Sequence, residues 1–175
     1  MSRAFPYVLA LLAGLLLWGG LIHSRTANRS KRSYEGKDSA YVVIYVASAT
    51  CGICTKPSVI EAVSQIPALI SRHGVPARYV LVSMDMLDGE GWKFARRHGI
   101  WDEVSIGGRY YNEVLLSYFN DVEGITPGVP QVVIYKDEYS LDALNIPGLK
   151  QRVLIKSILG EKGIIRWVQQ GCPVL

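Results

Sequence analysis

The seven residues Tyr41–Ala47, YVVIYVA, are apolar and mostly β-branched or aromatic at every position. A strand with one wet face alternates in polarity. This one does not, so both of its faces must be covered, as in a central strand of a sheet with helices packed on either side. A chain of 175 residues has room for one such domain together with a tail or a membrane segment.

The rest of the pattern supplies the layers. Val59, Ile60, Val63, Ile66, Leu69 and Ile70 recur at spacings of three and four, which predicts a helix from near Cys54 to Arg72. Gly74 and Pro76 end it, and Pro67 is expected to kink or split it. Ala77–Asp85, ARYVLVSMD, is a second buried strand, and LDGEG turns the chain into a short helix, WKFARRHG, closed by Gly99. A further helix is expected over roughly Tyr111–Phe119. QVVIY is a third strand, KDEY a hairpin turn into a weaker fourth, and LKQRVLIKSIL, residues 149–159, the last helix. Strands alternating with helices, then a hairpin and a terminal helix, predict an α/β sandwich with a mixed central sheet.

Directly behind the first strand stands Cys51-Gly52-Ile53-Cys54; Cys172 is the third and last cysteine of the chain. Two cysteines at this spacing can be half of a zinc site, a structural disulfide or a redox pair. A structural zinc needs four ligands, and His23, His73 and His98 are scattered singly, so no metal is expected. A disulfide closing so small a loop constrains little of the unfolded chain. At a strand end and a helix start, by contrast, Cys51 meets unpaired N–H groups and the positive end of the helix dipole, which favour thiolate. Cys54, one turn along, is close enough to attack a mixed disulfide formed on Cys51. Pro130 precedes a buried strand, where it ends ladder pairing and exposes its neighbour's backbone. Cis and trans forms are both compatible with the sequence at this point.

YVVIYVASATCGIC, the helix behind it, RYVLVSMD and GVPQVVIYKDE together resemble the thioredoxin family over about Ala40–Leu159. The segment Leu87–Gly124 and the apolar N-terminus are similar to its membrane-tethered TlpA/ResA-like branch. The resemblance implies a thioredoxin-like three-layer sandwich and a thiol:disulfide oxidoreductase. It makes Cys51 the nucleophile and Cys54 the resolving thiol. Gly52 and Ile53 become the tuning dipeptide, and Pro130 a cis proline whose predecessor, Val129, pairs its backbone with substrate. With Ile53 giving the thiolate neither charge nor hydrogen bond, a reducing or isomerising pair is expected over an oxidising one. Two positions depart from the family pattern. Thr50 replaces its tryptophan, and Tyr45 replaces the buried acid that would take a proton from Cys54. A non-catalytic subunit of a membrane complex is the alternative these departures leave open. Implied partners are cysteine-containing proteins and an unidentified redox donor; no cofactor is implied.

Ala4–Ile22 is uncharged over nineteen residues, about 28 Å as a helix and enough to span a bilayer's hydrocarbon core. It reads as a single transmembrane anchor, 1–22, followed by a basic flexible linker, 23–39, and the folded domain, 40–175. Through Ser39 there are six Lys or Arg against two acids; from Ala40 onward there are thirteen of each. The electrically balanced domain argues against a nucleic-acid partner, and the linker's charge suits anionic lipid headgroups. Arg3 alone precedes the apolar segment and Arg25, Arg29, Lys31 and Arg32 follow it, a bias toward a cytoplasmic domain. The family resemblance implies the opposite, an extracytoplasmic, periplasmic domain, and that side is the expectation.

Overall fold

The computed structural model describes residues 39–119, 122–142 and 146–174. The segment read as an anchor, Ala4–Ile22, and the linker as far as Asp38 lie outside the described residues. No helix among the described residues is long and apolar enough to cross a membrane.

Five strands, β1 (Ser39–Ala47), β2 (Ala77–Ser83), β3 (Glu103–Ile106), β4 (Gln131–Leu141) and β5 (Pro147–Leu159), form one sheet in the order β3-β2-β1-β4-β5. β2 runs parallel to β1 and to β3, while β4 is antiparallel to β1 and β5, so the sheet is mixed. Four α-helices, α1 (Pro57–Ser71), α2 (Asp88–Ala95), α3 (Glu113–Phe119) and α4 (Gly160–Gln169), cover it.

β1 explains the layering. Tyr41, Val43, Tyr45 and Ala47 face a core shared with Val59, Val63, Ile66 and Ile70 of α1, Phe94 of α2 and Ile164 and Trp167 of α4. Val42, Ile44 and Val46 face the other way, against Leu115 and Tyr118 of α3. Every residue from Tyr41 to Ala47 is buried, each large side chain contributing roughly 1.5–3 kcal/mol. The second layer is stapled by polar contacts. Arg152 of β5 grips the buried Asp137 carboxylate through two bonds of 2.7 and 2.8 Å, and its guanidinium lies 3.8 Å from the Tyr118 ring centroid.

Several elements differ from the sequence reading. Residues 149–159 are not the last helix but most of β5, paired along its length with β4. The terminal helix is α4, beyond them. KDEY is no turn: β4 runs through it to Leu141, and the chain reverses between Asp142 and Ile146, whose backbones bond at 3.1 Å. Pro67 neither splits nor ends α1. A proline removes one helical N–H and crowds the carbonyl four residues back, but the buried Val63, Ile66 and Ile70 hold the helix on the sheet on both sides of it. The first helix starts at Pro57, three residues beyond Cys54. Lys56 is its extended N-cap, and Pro57 suits the first helical position. β3, an edge strand of four residues, had no counterpart in the sequence reading.

Candidate functional site

The chain leaves β1 through Ser48–Thr50, and one acid fixes this exit. Asp85, 2% exposed behind the C-terminal end of β2, accepts the Ala49 N–H on both oxygens at 3.0 and 2.9 Å. It also accepts the Ser48 hydroxyl at 2.7 Å and the Ser83 hydroxyl at 2.5 Å. Burial pushes its carboxyl upward, but the bonds from Ala49, Ser83 and Ser48, with the nearby Thr50 amide adding to them, outweigh that and hold it below its usual range.

Cys51 and Cys54 are joined in a disulfide with their Cα atoms 5.2 Å apart. Cys51 is half-buried, Gly52 and Ile53 are exposed, and Cys54 is inaccessible. Only Cys51 can therefore meet a partner's sulfur. The residues 52–55 form a turn of their own ahead of α1, closed by Thr55 N–H to the Cys51 carbonyl at 3.3 Å. The N–H that reaches the Cys51 sulfur, at 3.2 Å, is that of Cys54. This corrects the expectation that α1's own end faces the sulfur: the donor comes from the local turn.

Opposite lies Val129-Pro130, whose peptide bond is cis. The Val129 carbonyl oxygen is 4.0 Å from Cys51 Sγ. Val129 precedes the first β4 pair, Val46 with Gln131, so it has no ladder partner. Its position is held from behind: the Pro130 carbonyl accepts the Gly160 N–H at 2.8 Å, and the Gln131 side chain donates to the Thr126 carbonyl and to Ser157. The structure thus brings Cys51, Cys54, Val129 and Pro130 together, with Gly52 and Ile53 on the rim.

Two clefts flank Val129. One, about 530 Å³, is lined by Thr50, Cys51, Asp85, Leu87 and Tyr110 among others. The second, about 420 Å³, is more apolar, with Leu115, Leu116, Phe119 and Gln131. Met84, Tyr110 and Val129 belong to both. Tyr110 is set there by Gly107, Gly108 and Arg109, three successive residues with φ of 81°, 73° and 47°. The two glycines enter the left-handed region freely; Arg109 does not.

Behind Cys54 sits His98, 1% exposed, its ring 5.5 Å from that of Tyr45 and 4.1 Å from that of Phe94. Asp85, His98 and the Gly107–Tyr110 loop were missed in the sequence reading. An acid closing a buried strand was a visible signal for Asp85. A single histidine carried none. Cys172 is buried against the α1/α4 side of the core, where burial pushes its thiol up to about 12, and it forms no disulfide. Among the described residues no group of three or more His, Cys, Asp or Glu could hold a metal ion.

No family model matches the sequence, and no curated protein matches it. Among solved structures the chain is similar to the thioredoxin domain of a thiol-disulfide oxidoreductase from Bacteroides vulgatus, at 14% identity, covering 77% of this chain and 80% of that one, with a TM-score of 0.39. It is similar also to a thioredoxin-family thiol:disulfide interchange protein from Chlorobium tepidum, at 12% identity, 77% and 81% coverage and a TM-score of 0.41. A third is BsSco, a member of the Sco family of cytochrome c oxidase assembly proteins, at 17% identity, 78% and 82% coverage and a TM-score of 0.38. The mixed sheet of five strands with its four helices fits a thioredoxin-like fold. The chemistry rests on the residues of this chain.

Proposed function

We propose that the protein is a membrane-anchored thiol:disulfide oxidoreductase that exchanges disulfides with cysteines of other proteins through Cys51 and Cys54. The observation that carries this reading is the asymmetry of the pair. Cys51 is reachable and has the Cys54 N–H on its sulfur, while Cys54 is enclosed one turn behind it. A thiolate on Cys51 attacks a partner disulfide and forms a mixed disulfide; Cys54 then attacks Cys51 and releases the partner as a thiol. The unpaired backbone of Val129, beside the sulfur, suits an extended partner segment added as a strand, with Gly52 and Ile53 against its flank. Ile53 adds no charge to the thiolate, which supports reduction or isomerisation over oxidation, with a separate dithiol donor restoring the pair.

The uncharged Ala4–Ile22 supports the anchor, and the basic linker suits the lipid surface. An extracytoplasmic, periplasmic domain is part of the same proposal, on the resemblance to tethered thioredoxin-like proteins.

The test is capture. Cys54→Ala in the full chain accumulates mixed disulfides with partner proteins, resolvable by reductant on a non-reducing gel, and Cys51→Ala accumulates none. Equal capture by both variants, or by neither, returns the chain to its alternative, a non-catalytic subunit of a membrane complex.

A further inference from the structure

Val129 packs against both cores of the sheet, and the two sides it joins differ. Cys51 and Cys54 belong to the α1/α4 side, in one core with Val59, Phe94 and Ile164. The smaller of the two clefts beside Val129 opens on the α3 side. Val46 and Leu115 of that core line it, together with Met84 and Phe119, which pack against the same core.

The walls of this cleft carry no charge, whereas the larger cleft holds Asp85, Glu90 and Arg109. At about 420 Å³ it has room for one large side chain. Its shape is set before any partner arrives. Asn112, 4% exposed, accepts the Val114 and Leu115 N–H groups on Oδ1 at 3.0 and 3.3 Å and donates from Nδ2 to the Gly107 carbonyl at 3.0 Å. One buried side chain thus ties the start of α3 to the loop that carries Tyr110. Tyr110 and Leu116 are 73% and 42% exposed, so apolar surface on the cleft stays in water until something covers it.

A partner segment that pairs with the Val129 backbone as an added strand sends successive side chains to opposite faces. Its cysteine must face Cys51, on the α1/α4 side. The residue directly beside that cysteine then faces the α3 side, where the uncharged cleft opens, and the residue two places away returns to the side of Cys51. We propose that the cleft of Tyr110, Leu115, Leu116 and Phe119 selects partners by the residue adjacent to their reactive cysteine. It takes a Leu, Met or Phe side chain. A charged neighbour loses its hydration there and finds no pairing group. The proposal rests on the thiol exchange proposed above and names its substrate class: an extended protein segment in which a bulky apolar residue adjoins the cysteine.

The test uses short blocked peptides with one central cysteine disulfide-bonded to 5-thio-2-nitrobenzoate. Alanine fills the other positions, or leucine or glutamate stands next to the cysteine, or two places from it, on either side. In the reduced full chain the Cys51 thiolate attacks the peptide sulfur, the bond to the aromatic sulfur breaks, and the electron pair leaves with the coloured thiolate. Cys54 then loses its proton to the medium, bonds to Cys51 Sγ and expels the peptide thiolate; the dithiol is oxidised and the peptide disulfide reduced. Each rate constant is divided by that for free dithiothreitol, which removes the peptide's intrinsic reactivity.

Colour release is expected about 10-fold faster with leucine adjacent on at least one side than with alanine, slower with glutamate there, and within about twofold of alanine with leucine two places away. Tyr110→Ser and Leu116→Glu bring the leucine-to-alanine ratio down to about 1. That ratio is taken on one protein at a time, so general damage to folding does not move it. Equal rates for leucine and alanine in the unaltered protein, or a preference that both substitutions leave intact, overturn the role of the cleft while release that depends on Cys51 keeps the exchange reading. A preference for leucine two places away overturns it too, because strand alternation forbids it. Release from every peptide no faster than that by Cys51→Ala overturns the exchange reading, and the subsite with it.

Discussion

Replacing Asp85 by asparagine keeps the shape of the side chain but removes its charge and turns one acceptor into a donor. The carboxylate receives one backbone N–H on both oxygens and two hydroxyls, all at 2.5–3.0 Å. Hydrogen bonds to a charged group are worth about 1.5–3 kcal/mol each. The Ser48 hydroxyl can turn elsewhere, since Thr50 Oγ1 lies 2.8 Å from it. The Ala49 N–H has no such freedom, and the new amide meets it with its own N–H. The expected loss is about 2–3 kcal/mol for Asp85→Asn and about 3–5 kcal/mol for Asp85→Ala, which strands buried donors. Urea unfolding of the oxidised full chain in mild detergent, followed by tryptophan fluorescence, reads this directly. The pH dependence gives a second handle. The folded-state pKa is held below the ordinary 3.8, so the carboxylate's contribution is complete above that value and is lost as pH falls through the folded pKa. The gap between the unaltered protein and Asp85→Asn is therefore constant above about pH 5 and closes in stronger acid. A gap under about 1 kcal/mol at pH 7, or one that does not close in acid, refutes the view that this carboxylate holds the exit of β1.

Two further outcomes follow from other parts of the chain. Gly91→Ala places a methyl group onto Ile106 Cγ2 and 3.0 Å from Ser83 Oγ, wedging α2 off β2 and β3; the expected cost is about 1–3 kcal/mol in a thermal melt, and a change within about 0.5 kcal/mol contradicts the packing. A reporter active only after export, fused behind Leu175, is expected to work; silence there with an active cytoplasmic reporter at the same position reverses the proposed orientation.

The parts of the fold that were legible are those where a single strand carries the whole signal. β1, β2 and the start of β4 are apolar on both parities, which only a covered central strand tolerates. β5 misled because Leu149, Val153, Leu154 and Ile158 happen to fall at helical spacings. Its pairing with β4, a contact between distant residues, overrides that local period. The true terminal helix hid behind Gly160 and Gly163, poor helix formers, though it buries Ile164, Trp167 and Val168. At the site, the cysteine spacing and the proline were visible as residue types. The buried neighbours were not, because nothing local marks His98 as lying behind Cys54, forty-four positions away.

The clamp of Gly160 on Pro130 also bears on how the protein is made. Cys51 and Cys54 leave the ribosome early. Val129 and Pro130 follow after nearly eighty further residues, and Gly160, whose N–H braces Pro130 from behind, comes later still. β1 itself stays without one of its two neighbours until β4 has been synthesised. At about 5–20 residues per second this leaves an interval of several seconds in which both thiols exist on an incomplete sheet. During that interval the enclosure that separates an attacking sulfur from a resolving one has not formed, and either cysteine is open to whatever oxidant or thiol surrounds the nascent chain.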